Sequence, residues 1–292
     1  MKLKEKIIIN GNIKDSSEPY LSSNRAFRYG DGVFESIRII NGKPIFFDHH
    51  FQRLITGAKA LKIIIPESYS LEYFLKQIKL LSESNNIDLG GKARLTLYRD
   101  GVGAYKPLNN NAAFLLENES LSNNLYELNE EGLLVGTYQA IKKSINIYSK
   151  FKTLNGLLYV IASAFAEENN LNDAFIINES GNIIESTSSN IFIVSNGVLY
   201  TPPLEDGCVG GIIRMNIINI ALSNKITVYE SSLTSRNLLN ADEIFLTNSI
   251  KGVQWVGGYQ NKRYFNKTSK LILELLNKNI SNSPMDLMEN LK

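Results

Sequence analysis

The feature that most narrows the fold is a single two-residue link. Val33 to Ile40 and Lys43 to Phe47 both carry β-type patterning, and only Asn41-Gly42 separates them. Asn-Gly suits a type I′ turn, whose twist matches paired strands, so this stretch predicts a hairpin. Around it the apolar period changes repeatedly. Leu3 to Asn10 alternates and predicts a strand. Asp48 is placed to cap a helix running to about Leu61, and Pro66 closes the connection that follows. From Ser70 to Ser84, Leu71, Phe74, Leu75, Ile78 and Leu81 recur at helical spacing. Ala93 to Arg99 and Ala112 to Glu117 predict two further strands.

The polar stretch Asn118 to Glu131 then reads as an inter-domain connection. Beyond it come a strand (Gly132 to Gln139), a helix (Asn155 to Glu168) and a dense series of short strands. The series is Asp173 to Asn178, Asn182 to Glu185, Asn190 to Val194 and Val198 to Thr201, with Gly or Asn turns between. Helices over about Gly211 to Asn224 and Lys267 to Asn277 complete the pattern. The expectation is a mixed α/β chain in two lobes, 1–118 and 132–292, joined by 119–131.

Composition excludes several function classes. With 43% hydrophobic and 21% charged residues the chain is of ordinary globular type. A net charge of +2 gives no reason to expect nucleic acid or an anionic membrane as partner. One cysteine and two histidines are too few for a disulfide framework or a zinc cluster, so no metal is expected. The N-terminus lacks the pattern of a signal peptide. The longest apolar run, Leu157 to Ala166, is shorter than the roughly 20 residues a membrane span needs. A cytoplasmic location is expected.

Four segments could carry chemistry. Lys152, in Phe151-Lys152-Thr153-Leu154-Asn155, precedes an almost wholly apolar helix. A lysine drawn into such surroundings can supply a free amine as nucleophile or base; the alternative is a loop lysine reaching solvent. Gly207 to Arg214 is a glycine-rich turn opening a helix, either a seat for phosphate or a tight turn, with neither Rossmann nor P-loop spacing. Glu185 closes an apolar strand ahead of the small polar run Ser186 to Asn190. His50 and Arg53 share one helix face, which makes Arg53 an anion clamp or a solvated helix arginine. His49 and His50 read as packing or capping residues, and Cys208 as inert.

Taken in order, these segments resemble the class IV aminotransferase family, the pyridoxal phosphate enzymes of fold type IV. The resemblance rests on Tyr29-Gly30-Asp31-Gly32-Val33-Phe34-Glu35, His50-x-x-Arg53-Leu54, Lys152-Thr153-Leu154-Asn155, Glu185 to Phe192, Tyr200-Thr201-Pro202 and Gly211-Ile212-Ile213-Arg214. It implies a small N-terminal and a larger C-terminal α/β domain, with pyridoxal 5′-phosphate between them, in a homodimer. It implies an imine linkage between Lys152 and the cofactor, with the same lysine moving a proton of the substrate. Glu185 would pair with the pyridine nitrogen. Arg53, the backbone N–H groups of Ile212 and Ile213, and Ser249 would hold the phosphate.

Within the family the motifs divide. Branched-chain aminotransferases usually carry a tyrosine where this chain has Gly156, and D-amino acid aminotransferases an arginine and a histidine close together where Arg99 to Pro107 holds no histidine. Asn248-Ser249-Ile250 resembles the corresponding turn of aminodeoxychorismate lyases. The resemblance therefore implies first a lyase releasing p-aminobenzoate and pyruvate, with aminotransfer from a branched-chain or D-amino acid as the alternative. Tyr29, Phe34, Arg94, Asn248 and Ile250 are the expected substrate contacts, and the partner is a small amino compound.

Overall fold

The computed structural model describes residues 5–16 and 24–282, and these fall into two compact units. The first holds the chain as far as Leu125 and takes back the segment Phe151–Asn155. The second comprises Tyr126–Lys150 and, among the described residues, 156–282. The first change of unit comes between Leu125 and Tyr126, and the Lys152 segment is grouped with the first unit. Leu3 and Lys4, the start of the first expected strand, lie outside the described residues.

In the first unit, β1 (Lys6–Ile9), β2 (Asn12–Asp15), β3 (Gly32–Ile40), β4 (Lys43–Pro44), β5 (Gly91–Arg99) and β6 (Ala112–Ser120) form one sheet, ordered β2-β1-β6-β5-β3-β4. Every pairing is antiparallel. The β3–β4 link has both Asn41 (φ 51°) and Gly42 (φ 70°) in the left-handed region, as a type I′ turn requires. Two helices, α2 (Phe47–Ala60) and α3 (Leu71–Ser84), cover one face, after a short α1 (Arg25–Tyr29) that the sequence pattern does not reveal. Period-2 residues Val33, Ile37, Ile39, Leu95, Leu97, Phe114 and Leu116 meet Leu54, Phe74, Ile78 and Leu81 of the helices. Ser70 caps α3 through its side chain, but Asp48 does not cap α2. That helix starts at Phe47 from a left-handed Phe46, and Asp48 lies in its first turn, where a carboxylate favours the helix dipole.

The second unit contains β7 (Leu133–Lys143), α4 (Leu157–Glu168), β8 (Asp173–Asn178), β9 (Ile183–Ser186), β10 (Asn190–Ser195), β11 (Val198–Thr201), α5 (Ile212–Ser223), β12 (Val228–Glu230), α6 (Ser235–Asn240), β13 (Glu243–Asn248), β14 (Gly252–Tyr259), β15 (Lys262–Arg263) and α7 (Lys267–Asn282). The sheet runs β12-β11-β10-β13-β14-β7-β8-β9, and β9 also pairs with β10, so six of its strands close into a ring. Inside sit Val135, Phe175, Ile177, Ile183, Ile191, Ile193, Ile244 and Leu246. Strands β7 and β8 are parallel, which needs a crossover, and α4 supplies it. It packs Ala162 and Ala166 against Tyr138, Ala174 and Ile176 while Leu157, Val160 and Ile161 stay exposed. No helix among the described residues is long and apolar enough to cross a membrane.

Candidate active site

Each unit carries a cluster of sequence-predicted residues. In the first, Lys152 is held by the sheet itself. Phe34 donates its N–H to the Lys152 carbonyl at 2.9 Å, Leu154 donates to the Gly32 carbonyl at 3.0 Å, and Thr153 bridges Val33 in antiparallel sense. The segment therefore extends the sheet along the edge of β3 that β4 leaves uncovered. Gly32 permits the approach: a Cβ there would lie 2.6 Å from the Leu97 carbonyl oxygen and 2.9 Å from Leu154 Cδ1. Lys152 Nζ rests 4.5 Å from the Phe34 ring centroid, and the exposed Arg94 guanidinium lies 3.7 Å from the same centroid. Phe34, Arg94 and Lys152 are thus brought together.

Behind them lies a buried carboxylate that the sequence reading gave no role. Glu35 sits on the core face of β3 between Val33 and Ile37, 1% exposed. Arg53 of α2 grips it with Nε at 2.8 Å and Nη2 at 2.5 Å, and His50 Nδ1 lies 2.6 Å from Oε2. Burial alone would raise Glu35, but the Arg53 charge and the Arg53 and His50 hydrogen bonds hold its carboxyl down at about 2. Burial pushes His50 below its ordinary range against the pull of Glu35, and Arg53 and Lys152 add to the lowering. A neutral His50 then donates from Nδ1 to an ionised Glu35, and the pair aims Arg53. Alternation on β3 was the available signal: a carboxylate at an apolar-face position needs a buried partner.

In the second unit Glu185 is aimed by a bulge. Ile176 pairs with Glu185 while Ile177 pairs with Ile183, so Ile184 is an extra residue on β9. The bulge turns Glu185 to the side of Ile176 and α4 instead of the ring interior. Its carboxylate, 3% exposed, accepts from Lys143 Nζ (2.7 Å) and Tyr159 OH (2.8 Å) on Oε1 and from the Val209 N–H (2.7 Å) on Oε2. Lys143 also donates to the Ser149 carbonyl at 3.0 Å. Burial and Glu185 keep the Tyr159 phenol protonated, well above its ordinary range. Burial, with Glu185 adding to it, pushes the nearby Cys208 thiol up to about 12, so Cys208 is no nucleophile. The sequence reading missed both Lys143 and Tyr159. Tyr159, nearly one helical turn after Gly156, turns its hydroxyl to Glu185.

The glycine-rich turn opens α5 with its first N–H groups uncapped. Gly211 caps α5 without any side-chain bond, which leaves the first N–H groups of the helix, Ile212 and Ile213 included, without intrahelical acceptors. A Cβ on Gly211 would stand 1.9 Å from Asn190 Oδ1, and Asn190 Nδ2 donates to the Val209 carbonyl at 2.7 Å. Asn190 is paired with Thr247, whose hydroxyl is buried without a partner, and Ser249 follows two residues later. An uncapped helix start beside an orphaned hydroxyl fits a phosphate group. Arg214 is committed elsewhere, donating to the Pro202 carbonyl (2.7 Å) and Glu230 (2.5 Å).

The expected substrate residues fare unequally. Asn248 uses its Oδ1 to accept the N–H groups of Ile250 and Lys251, and its Nδ2 donates to Ser189 Oγ at 2.9 Å. Its amide builds the turn that carries Ser249 and Ile250. Tyr29 sits beneath Arg25 and against Tyr105. Arg99 has four of its five N–H groups engaged: Nε with Asp31, Nη1 with the Lys62 carbonyl and Asn110, and one on Nη2 with the Leu61 carbonyl.

A family model described as amino-transferase class IV matches residues 32–258. A putative branched-chain-amino-acid aminotransferase of Methanocaldococcus jannaschii is 32% identical, over 83% of each chain. A D-alanine aminotransferase of Listeria monocytogenes is 28% identical, over 87% of this chain and 90% of that one. Among solved structures, the branched-chain aminotransferase of Thermoproteus uzoniensis matches with a TM-score of 0.88 at 24% identity, covering 98% of each chain. A putative 4-amino-4-deoxychorismate lyase of Legionella pneumophila matches with a TM-score of 0.78 at 27% identity, covering 90% of this chain and 96% of that one. Both of those sequence relatives are named aminotransferases, whereas the lyase matches as a fold with the lower TM-score, so the findings favour the second of the two readings made from the motifs. With the matched region spanning most of its length, the chain belongs to the class IV aminotransferase family, enzymes of fold type IV that work with pyridoxal phosphate.

Proposed function

We propose that the protein is an aminotransferase that takes the amino group from an L-amino acid of the branched-chain class and passes it to a 2-keto acid. The observation that carries the choice is Arg99. A two-pronged grip on a substrate carboxylate needs at least two free donors, and this arginine has four of its five N–H groups on Asp31, Asn110 and two backbone carbonyls. No histidine accompanies it, so the D-amino acid pattern is missing its parts. The lyase reading leaned on Asn248, and that amide has its oxygen committed to its own turn and its nitrogen donating to Ser189.

In this reading Lys152 anchors the cofactor and its Nζ moves the proton at the substrate Cα. Glu185 faces the pyridine nitrogen, and Arg53, Ile212, Ile213 and Ser249 hold the phosphate. When bound, pyridoxal phosphate supplies the carbonyl that takes the amino group and the ring that withdraws electrons from it. The Phe34 ring offers an apolar surface to an aliphatic side chain. Arg94, exposed above that ring and with no ion pair among the described residues, suits the carboxylate of an acidic keto-acid acceptor. The neighbours support aminotransfer, and a second subunit finishing the pocket is part of this proposal.

The test is a product panel with the holoenzyme. L-leucine with 2-oxoglutarate should give 2-oxo-4-methylpentanoate and glutamate in ping-pong fashion. D-alanine should react poorly, and aminodeoxychorismate should yield no p-aminobenzoate. Formation of p-aminobenzoate and pyruvate without aminotransfer would restore the lyase, and preferential use of D-alanine would move the substrate class.

A further inference from the structure

We propose that Lys143 and Tyr159 are positioning residues that act through Glu185 on the cofactor ring, keeping the shared proton on the pyridine nitrogen. The proposal rests on the pairing of Glu185 with that nitrogen advanced above. Its basis is the way three separate elements converge on one carboxylate. Lys143 ends β7, Tyr159 lies on α4, and the Val209 N–H precedes α5.

Neither side chain reaches Glu185 by default. From Gln139 to Lys142 strand β7 is exposed, and its pairing with β8 jumps from Tyr138–Ile176 to Lys143–Asn178. Five residues of β7 thus oppose two steps of β8, and this detour returns Lys143 to the sheet with its side chain 12% exposed. Tyr159 occupies a helix whose first six residues are otherwise apolar, and its hydroxyl is directed to Glu185 Oε1. Lys143 Nζ lies 5.6 Å from the Tyr159 ring centroid, so the cation also closes over the phenol.

The consequence follows from distance. Both Lys143 and Tyr159 bind Oε1, whereas Oε2 receives only the Val209 N–H among the hydrogen bonds described, and keeps acceptor capacity for one more donor. A cation touching the carboxylate opposes a proton there more strongly than on a ring atom beyond it, since the interaction falls with separation. The phenol acts in the same sense, because an O–H donated to a carboxylate oxygen favours its charged form. The proton shared between Glu185 and the ring nitrogen is therefore biased to the nitrogen.

The holoenzyme reconstituted with ring-¹⁵N pyridoxal phosphate reads this directly. Lys143→Met should move the nitrogen resonance toward its neutral-pyridine position, Tyr159→Phe should move it less in the same direction, and Lys143→Arg should restore it. In Lys143→Met, kcat should fall roughly tenfold while KM for the amino donor stays within about twofold. Should Glu185→Gln move the resonance while Lys143→Met and Tyr159→Phe leave it at the wild-type value, the two residues merely neutralise a buried charge and the proposal fails. If Glu185→Gln moves nothing, the Glu185 assignment itself fails and the proposal goes with it. Tyr159→Phe keeps every charge in place and decides the question even where Lys143→Met does not fold.

Discussion

Two carboxylates, one in each unit, are almost equally buried and accept three donors apiece, yet they have opposite standing. Glu35 binds Arg53 through a two-pronged contact and His50 through Oε2, and both partners come from α2. There the carboxylate fixes the aim of a cation. Glu185 draws its donors from β7, α4 and the turn before α5, and sits on a bulge. There the donors fix the aim of a carboxylate. On the proposed assignments, the same residue type at nearly the same burial is scaffold in one place and the presented group in the other. What separates them is whether the partners belong to one packed element or converge from several.

The largest effect that would break this contrast is on turnover. Glu185→Gln should lower kcat by roughly a hundredfold or more, since a preorganised charge at the electron sink is lost. Cofactor retention should stay close to wild type. A comparable loss of kcat from Glu35→Gln with unchanged retention would erase the distinction.

Acid sensitivity comes next and belongs to the first unit. Glu35 is held below its unfolded value, so the unfolded chain binds more protons as pH falls, and stability drops through the range from 4.5 to about 2. His50, also lowered, contributes the same sign beginning near its ordinary value of 6.5. The Glu35 share amounts to about 3 kcal/mol. Urea midpoints across pH should show this slope in the wild type and a flatter one below pH 4.5 in Glu35→Gln. A steeper slope in the variant would contradict the assignment.

Arg53→Ala should weaken cofactor retention by ~1.5–3 kcal/mol, the worth of a charge-assisted contact, seen as faster loss on dialysis. Glu35→Gln should show a smaller loss of the same kind, because it only releases the aim of Arg53. The smallest expected effect is Gly211→Ala. Displacing Asn190 from the α5 start should cost ~1–3 kcal/mol and loosen phosphate binding, measured as the Kd for inorganic phosphate.

Local pattern carried much of this into the sequence. The Asn41-Gly42 hairpin, the Ser70-capped α3, and strands β8 and β11 lie where alternation and turn chemistry put them. What stayed hidden depends on partners distant in the chain. Phe151–Asn155 joins β3 by hydrogen bonds more than a hundred residues apart in sequence, which no local period encodes. The bulge at Ile184 leaves Ile183 and Ile184 equally apolar, so the facing of Glu185 could not be read. Lys143 lies in a polar strand end and resembles its exposed neighbour Lys142 until the detour is seen. Glu35 was the legible exception, a carboxylate on an alternating apolar face.

The central claim is that Lys152, presented at the edge of β3 over Phe34, is the residue that carries pyridoxal phosphate. Borohydride reduction of the yellow holoenzyme, followed by peptide mapping, tests it in one measurement. The account predicts a single stable adduct on the peptide containing Lys152. An adduct on Lys143 or any other lysine, with Lys152 unmodified, would contradict it.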